Sequence, residues 1–305
     1  MAGNKIRRTR FNTVFDVVNA TLMGFLLIVI LYPLYFTVIA SISDPYSVIS
    51  GKVVFLPVNV TLEAYRNVIR ESKVWVGYRN TIFYTVFGTL FNLFLTIPAA
   101  YMLSKKNLCG RGLIATYFMI IMFFSGGLIP TYLQIKSLGL LNKWYTLIVL
   151  EGFSVYNMIV TRTFFQNSIP EEIFEASKID GANEFQNFFL IAMPLAKAII
   201  AVITLYYAVS RWNSYFTALI YTSKESYQPL QIVLRNILIS NQTALQQVTT
   251  DALDPDAVAD AARKAYMAEG MKYSLIFISS APLLAAYPFV QKYFVKGVML
   301  GSIKG

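Results

Sequence analysis

The sequence predicts an all-α, polytopic membrane protein with six transmembrane helices, and three observations carry that expectation. The 305 residues are 56% hydrophobic and only 14% charged, with a mean hydropathy of +0.54. Uncharged runs recur at the length of about 20 residues that a helix needs to cross a bilayer. The charges collect between those runs rather than within them. An ordinary soluble domain does not have this composition. The formal charge of +10 then reads as basic residues flanking membrane spans, not as a nucleic-acid surface. There is no histidine, which removes imidazole ligands, histidine-based triads and histidine proton relays. Cys109 is the single cysteine, so no intrachain disulfide or thiolate cluster forms. No GxxxxGK[ST] phosphate loop occurs, so ATP has no evident site here.

The first span, Val17 to Ala40, follows Lys5, Arg7, Arg8 and Arg10. It is too long for the apolar region of a signal peptide, about 7 to 15 residues, and reads as a retained helix. Further spans are expected at Thr81–Leu103, Leu113–Leu133, Tyr145–Phe165, Ala198–Ile220 and Tyr273–Val290.

Six spans put both termini on one side. Lys5 to Arg10, then Lys105, Lys106 and Arg111 in a short link, then Lys292, Lys296 and Lys304, predict N-in, C-in by the positive-inside rule. The expected organisation is a cytoplasmic segment 1–16, a first helix 17–40 and an extracytoplasmic loop 41–79. A transmembrane domain 80–290 and a cytoplasmic tail 291–305 follow. Within that domain, 166–197 faces the cytoplasm and 221–272 faces outward. The Ala-rich stretch Asp251–Met271 favours a surface helix.

The cytoplasmic insert has its own grammar. Ser168-Ile169-Pro170-Glu171 fits a capping box, and Glu171 and Glu172 complement the positive end of the helix dipole. Gly181 suits the left-handed stop of that helix, and Asn183 can cap a second one running to a break at Pro194. Small residues at Ala176, Ser177, Gly181 and Ala182 permit close approach of another surface. By these features alone, a loop helix lying on the bilayer accounts for the segment equally well.

The spacing adds more. Glu175-Ala176-Ser177, Gly181 six residues after the Glu, and Ile191-Ala192-Met193-Pro194 after nine more resemble the EAA motif of type I ABC importer permeases. Ser177 stands where alanine is usual, and Met193 where leucine is usual. The runs Phe123 to Pro130 and Tyr287 to Gly305 are similar to the carbohydrate-uptake, MalG-like branch, and within it to LplC/YtcP-type oligosaccharide permeases. The resemblance implies the type I permease fold and a non-catalytic subunit of an oligosaccharide importer in the bacterial cytoplasmic membrane. It implies that Glu175, Ala176, Ser177, Asp180, Gly181 and Pro194 form a coupling element docked on an ATPase. Gly301, Lys304 and Gly305 would add a C-terminal ATPase contact. The implied partners are a second permease subunit, two ABC ATPases and an extracytoplasmic solute-binding protein. Cofactors are none in this chain, with ATP and Mg on the ATPases.

Charges inside spans mark a pathway or a structural pair. Glu151 and Arg211 fall at similar predicted depth, with Tyr207, Arg211 and Tyr215 on one helix face. With Asn157, Trp212 and Asn213, they could stack on and hydrogen-bond a sugar, or they could pack helix against helix. Gly126-Gly127 and Pro130 either allow close packing of the third span or break it at a gate. An ion-coupled secondary transporter would need more intramembrane acids or an internal repeat. An intramembrane enzyme would need a nucleophile and base, and none is visible.

Overall fold

A computed structural model describes residues 10–239, 266 and 270–288, and all regular structure among them is helical. The chain divides into two compact units, Met1–Arg70 with Ile237–Ser279, and Glu71–Asn236 with Ser280–Gly305.

In the first unit, α1 (Arg10–Ser41) matches the expected first span and extends it at both ends. Its side chains remain mostly exposed, as expected of a helix whose neighbours are lipid or other subunits. Pro33 lies inside α1 and Thr37 Oγ1 donates to the Pro33 carbonyl at 2.9 Å, so the hydroxyl is satisfied on its own helix. The loop expected after it contains two helices, α2 (Pro45–Ile49) and α3 (Glu63–Arg70). Asp44 caps α2 by accepting from the Ser47 amide at 3.0 Å. Ile39, Ala40, Val48 and Val53 form the small core of this unit.

The second unit is organised on α4 (Ser72–Ser104), which starts nine residues before the predicted Thr81. The early turns escaped prediction because Lys73 and Arg79 interrupt the apolar pattern; Lys73 instead pairs with Glu225 at 3.2 Å. The third expected span is not one helix. Helices α5 (Arg111–Phe123) and α6 (Leu128–Ser137) meet at 113°. Gly127 takes φ 83°, and its carbonyl accepts from the Thr131 hydroxyl at 2.7 Å to start α6. A side chain on Gly126 would meet nothing within 4 Å among the described residues, and the helix breaks at this pair.

Tyr145–Phe165 is also discontinuous, with α7 (Thr146–Leu150) separated from α8 (Val155–Ser168). Ser154 caps α8 through the Asn157 amide. The insert folds as α9 (Glu171–Ile179) and α10 (Glu184–Leu195). Ala198–Ile220 becomes α11 (Lys197–Trp212) and α12 (Phe216–Tyr221), interrupted at 213–215. A 3-10 turn Glu225–Tyr227, helix α13 (Leu230–Ile239) and helix α14 (270–288) complete the described chain. Helix α14 covers the described part of the last predicted span.

Among the described residues, two helices, α1 and α4, are long and apolar enough to cross a membrane, and the bent pairs α5–α6 and α10–α11 each qualify together. Runs expected as continuous helices at Leu113–Leu133, Tyr145–Phe165 and Ala198–Ile220 contain breaks that hydropathy averages over. The core lies among α4, α8, α10 and α11, with Tyr101, Met158 and Ile203 fully enclosed. Gly301, Lys304 and Gly305, and most of Asp251–Met271, lie outside the described residues.

Candidate functional site

The α9–α10 hairpin is built by its turn. Gly181 has φ 82°; its amide donates to Lys178 O at 3.0 Å, and the Ala182 amide donates to Ser177 O at 2.9 Å. This double closure satisfies carbonyls at the end of α9 and reverses the chain within a few residues. Asn183 then caps α10 in a reciprocal box with Gln186, both bonds at 2.9 Å. The start of α9 differs from expectation. Pro170 occupies the cap and makes no side-chain cap bond, while Ser168 still belongs to α8, so the Ser168–Glu171 box does not form. Glu171 instead meets Lys106 at 2.6 Å. The break also moves: Pro194 sits inside α10, and the 79° bend falls at Ala196. A proline crowds the carbonyl four residues earlier, and the preceding Asn187–Ala192 segment accommodates it by widening to π-helical winding.

The hairpin is bolted to the end of α4. Tyr101 contacts the rings of Phe165, Phe174 and Phe188 at centroid distances of 5.7, 6.0 and 5.1 Å. Each such pair adds about 0.5–1.5 kcal/mol beyond area burial. Lys105 Nζ lies 3.2 Å from the Phe174 ring centroid and 4.7 Å from that of Tyr101. Burial lowers the Lys105 pKa, and the nearby Glu184 partly restores it. Across the turn, Lys178 and Glu184 pair at 3.1 Å.

Of the predicted coupling residues, Glu175, Ala176, Asp180, Gly181 and Pro194 are exposed. Ser177 is buried. Its hydroxyl donates to Phe174 O at 2.8 Å and lies 2.6 Å from Asn187 Oδ1, tying α9 to α10. The hairpin thus separates an outward small-residue face from an inward face that holds it rigid. Ile179, 88% exposed, and Phe185, 77% exposed, flank the turn as apolar knobs.

The Lys106–Glu171 tie predicts an acid-labile contact. The hydrogen bond from Lys106 holds the Glu171 carboxyl below the usual carboxylate range, while the same contact raises Lys106. A depressed carboxyl pKa contributes stability above its unfolded value, and that stability is lost as pH falls through the folded value. A spin label at Glu172→Cys should therefore gain mobility at acid pH. In a Lys106→Met background the mobility should be raised already at neutral pH, with the acid transition flattened.

The second cluster lies between the helix breaks. Arg211 is 4% exposed. Its Nε and Nη2 donate to Asn92 Oδ1, each at 3.0 Å, and Nη2 also donates to Ile148 O at 2.9 Å. Nη1 donates to Leu147 O and faces Glu151 Oε2 at 3.4 Å. The whole guanidinium fork is thereby engaged. Glu151 Oε1 accepts from Ser214 at 3.1 Å, so the break before α8 meets the break after α11. Asn92 Nδ2 donates to Glu151 O, joining both to α4. Tyr207 is buried too, its hydroxyl 2.6 Å from Thr96 Oγ1 and accepting from the Ser154 amide at 3.2 Å.

The structure therefore brings Tyr207, Arg211 and Glu151 together, with Asn157 and Trp212 buried nearby in the same unit. Asn213 is exposed and donates to Val209 O, while Tyr215 is partly covered. Sequence reasoning missed Asn92, the amide on which the guanidinium rests, and Gly88, one turn earlier on the same face of α4. A Cβ on Gly88 would lie 2.9 Å from Arg211 Nε and 3.2 Å from its Cζ. The signal was a small residue and an amide four apart inside an apolar span.

Comparison with known proteins resolves the family. Residues 74–299 match the model of the binding-protein-dependent transport system inner membrane component. The chain belongs to that family. It is 37% identical to protein LplC of Bacillus subtilis (strain 168), over 98% of each chain. It is 36% identical to the polygalacturonan/rhamnogalacturonan transport system permease protein YtcP of the same organism, over 96% of this chain and 99% of that one. Among solved structures, it superposes with TM-score 0.83 and 34% identity on a chain from a bacterial ABC transporter involved in import of the acidic polysaccharide alginate, covering 95% of this chain and all of that one.

As a permease component of an ABC importer, the protein is an inner membrane subunit, non-catalytic and without a cofactor of its own; ATP hydrolysis is the task of partner ATPases. For this permease the guanidinium seat has a direct consequence. Gly88→Ala should destabilise the assembled transporter by about 1–3 kcal/mol, because the pinned guanidinium must leave Asn92. In an Arg211→Met background the same change should cost less, and thermal unfolding of the four variants in detergent measures the difference.

Proposed function

We propose that this permease carries oligosaccharides, derived from complex polysaccharides, into the cell by alternating access driven through the α9–α10 hairpin. The observation that carries this reading is the division of that hairpin. One side is locked to α4 by Tyr101, Phe174, Ser177 and Asn187, and the other presents Glu175, Ala176, Asp180 and Gly181. A rigid element with a small-residue outer face suits seating in a groove of an ATPase, and its attachment lets a displacement there reach α4.

Six membrane crossings with both termini in the cytoplasm fit the basic segments at Lys5–Arg10 and Lys105–Arg111, and put the hairpin on the ATPase side. The assembly contains a second homologous permease subunit, two ATPases carrying ATP and Mg, and an extracytoplasmic binding protein that delivers the sugar. Segments 41–79 and 221–272 face that protein. The sugar class follows the relatives named for polygalacturonan/rhamnogalacturonan transport and for alginate import. Glu151, Asn213 and Tyr215 are the pathway positions still accessible in this chain, whereas Gly301, Lys304 and Gly305 are assigned to a C-terminal ATPase contact.

Co-purification tests this. The tagged permease should bring down an ATPase whose turnover rises with binding protein and oligosaccharide. Gradient-driven uptake by the isolated chain would overturn the proposal.

A further inference from the structure

The first turns of α4 hold main chain that lies far along the sequence. Asn80 Nδ2 donates to Ser226 O at 2.8 Å and to Gln228 O at 2.9 Å. Tyr84 Oη donates to the carbonyl between them, Tyr227 O, at 2.9 Å. The Leu230 amide, which opens α13, donates to Thr81 Oγ1 at 2.8 Å. Side chains of one helix thus satisfy successive carbonyls and the orphan amide of another helix. Gly77 permits the close approach: a Cβ there would lie 3.0 Å from Leu230 Cα and 3.1 Å from Val233 Cγ2. Gly77, Asn80, Thr81 and Tyr84 recur at helical spacing and share one face of α4.

Because these bonds go to backbone, they fix where 226–230 sits whatever its side chains are. The Lys73–Glu225 pair beside them is exposed and contributes little by itself. Leu230 and Ile232 are buried, so α13 starts from a fixed point. From this clamp α4 runs unbroken through Pro98 to Ser104. Gly88 and Asn92 seat Arg211 midway, and Tyr101 and Lys105 hold the α9–α10 hairpin at the other end. At ~1.5 Å per residue, Asn80 and Tyr101 stand roughly 30 Å apart along the helix axis.

We propose that α4 joins segment 225–230 and the α9–α10 hairpin into one moving body. Asn80, Thr81 and Tyr84 are then positioning residues, through which engagement of the extracytoplasmic binding protein is relayed to the ATPase. The inference rests on reading the hairpin as the ATPase seat and segment 221–272 as outward-facing. It assigns the relay to contacts within this chain: a loop held only by its own ends would move without moving α4, and a loop held by α4 side chains cannot.

The experiment uses the assembled transporter in liposomes, with Cys109→Ser and nitroxides at the exposed positions Ser226→Cys and Glu172→Cys. Pulsed EPR measures the distance between the labels in the resting and the vanadate-trapped states. The expected distance is the same in both. A change of ~5 Å, one helical pitch, overturns the single body. Thr81→Val removes only the acceptor of the Leu230 amide, and Tyr84→Phe only the donor to Tyr227 O. Each should broaden the distance distribution and lower the maximal stimulation of ATPase by binding protein severalfold. The half-saturating concentration of binding protein should change far less. Thr81→Ser, which keeps the hydroxyl, should restore both the sharp distance and the stimulation. Full stimulation in both Thr81→Val and Tyr84→Phe overturns the relay, even with a constant distance. Absence of ATPase from the purified parent is a failure of the hairpin reading alone, because broadening by Thr81→Val is read in that protein all the same.

Discussion

Replacing Arg211 by methionine should cost the assembled transporter about 3–5 kcal/mol, the largest loss expected of any single substitution here. The change removes the donors that satisfy Asn92 Oδ1, Leu147 O and Ile148 O, and it strips Glu151 of its countercharge. Those carbonyls belong to the broken end of α7, where the helix cannot supply its own donors. Asn92→Leu should follow, since it removes the acceptor of two guanidinium N–H groups and the donor to Glu151 O. Glu151→Gln should cost least. Its oxygen still accepts from Ser214, and Arg211 retains Asn92 and two main-chain acceptors. Arg211→Met with Glu151→Gln should recover part of the single loss, because an uncompensated carboxylate is worse than a neutral amide. Arg211→Lys should rescue poorly, for one ammonium cannot span acceptors held by a planar fork. Thermal unfolding in mild detergent, together with sugar uptake per folded transporter, separates a structural clamp from a sugar contact. A clamp predicts uptake that falls with the folded fraction and an unchanged sugar preference. Normal stability with altered preference would place the guanidinium in the solute path.

That clamp marks how far the sequence could be read. Helices along apolar runs were legible because lipid leaves the backbone no other way to satisfy itself, and α1 ends one residue past the expected Ala40, though it begins seven residues early at Arg10. The interruptions were not. Glu151, Gly152 and the segment around Asn213 scarcely dent an average over a span, yet each ends a helix. Glu151 and Arg211 were visible as a pair by charge and depth alone. Their third partner was not, since Asn92 lies over a hundred residues from Arg211 and nothing local announces that α4 passes between the breaks. At the hairpin, Gly181 and Asn183 were legible because a left-handed turn and an amide cap are local chemistry. The Ser168 cap failed for a tertiary reason. Packing of Phe165 into the α4 core carries α8 on to Ser168, leaving Pro170 to open α9 and Glu171 free for Lys106.

Gly181→Val should separate folding from energy coupling. A Cβ at Gly181 would meet no atom within 4 Å, so the cost is conformational, about 1–2 kcal/mol for an L residue at φ 82° and more for a β-branched one. The strain is local because the α4 core lies on the other side of α9, and the protein should still insert and remain monodisperse. What moves is the turn. Losing the Gly181–Lys178 and Ala182–Ser177 bonds displaces Asn183 and the Lys178–Glu184 pair, and with them the angle at which α9 presents Glu175 and Ala176. A docking error worth about 1.4 kcal/mol is about tenfold in affinity. Retained ATPase after purification should therefore fall roughly tenfold, with uptake falling alongside it. Gly181→Asn should keep most of both, because asparagine tolerates the left-handed region. Glu175→Lys should leave thermal stability within about 0.5 kcal/mol, as befits an exposed position, while reducing ATPase retention. The contrast is diagnostic: Gly181→Val disturbs the shape of the hairpin, and Glu175→Lys changes only the surface it offers. Equal ATPase retention in wild type, Gly181→Val and Glu175→Lys would mean that the ATPase is held elsewhere on the permease, and the hairpin would lose its assigned role.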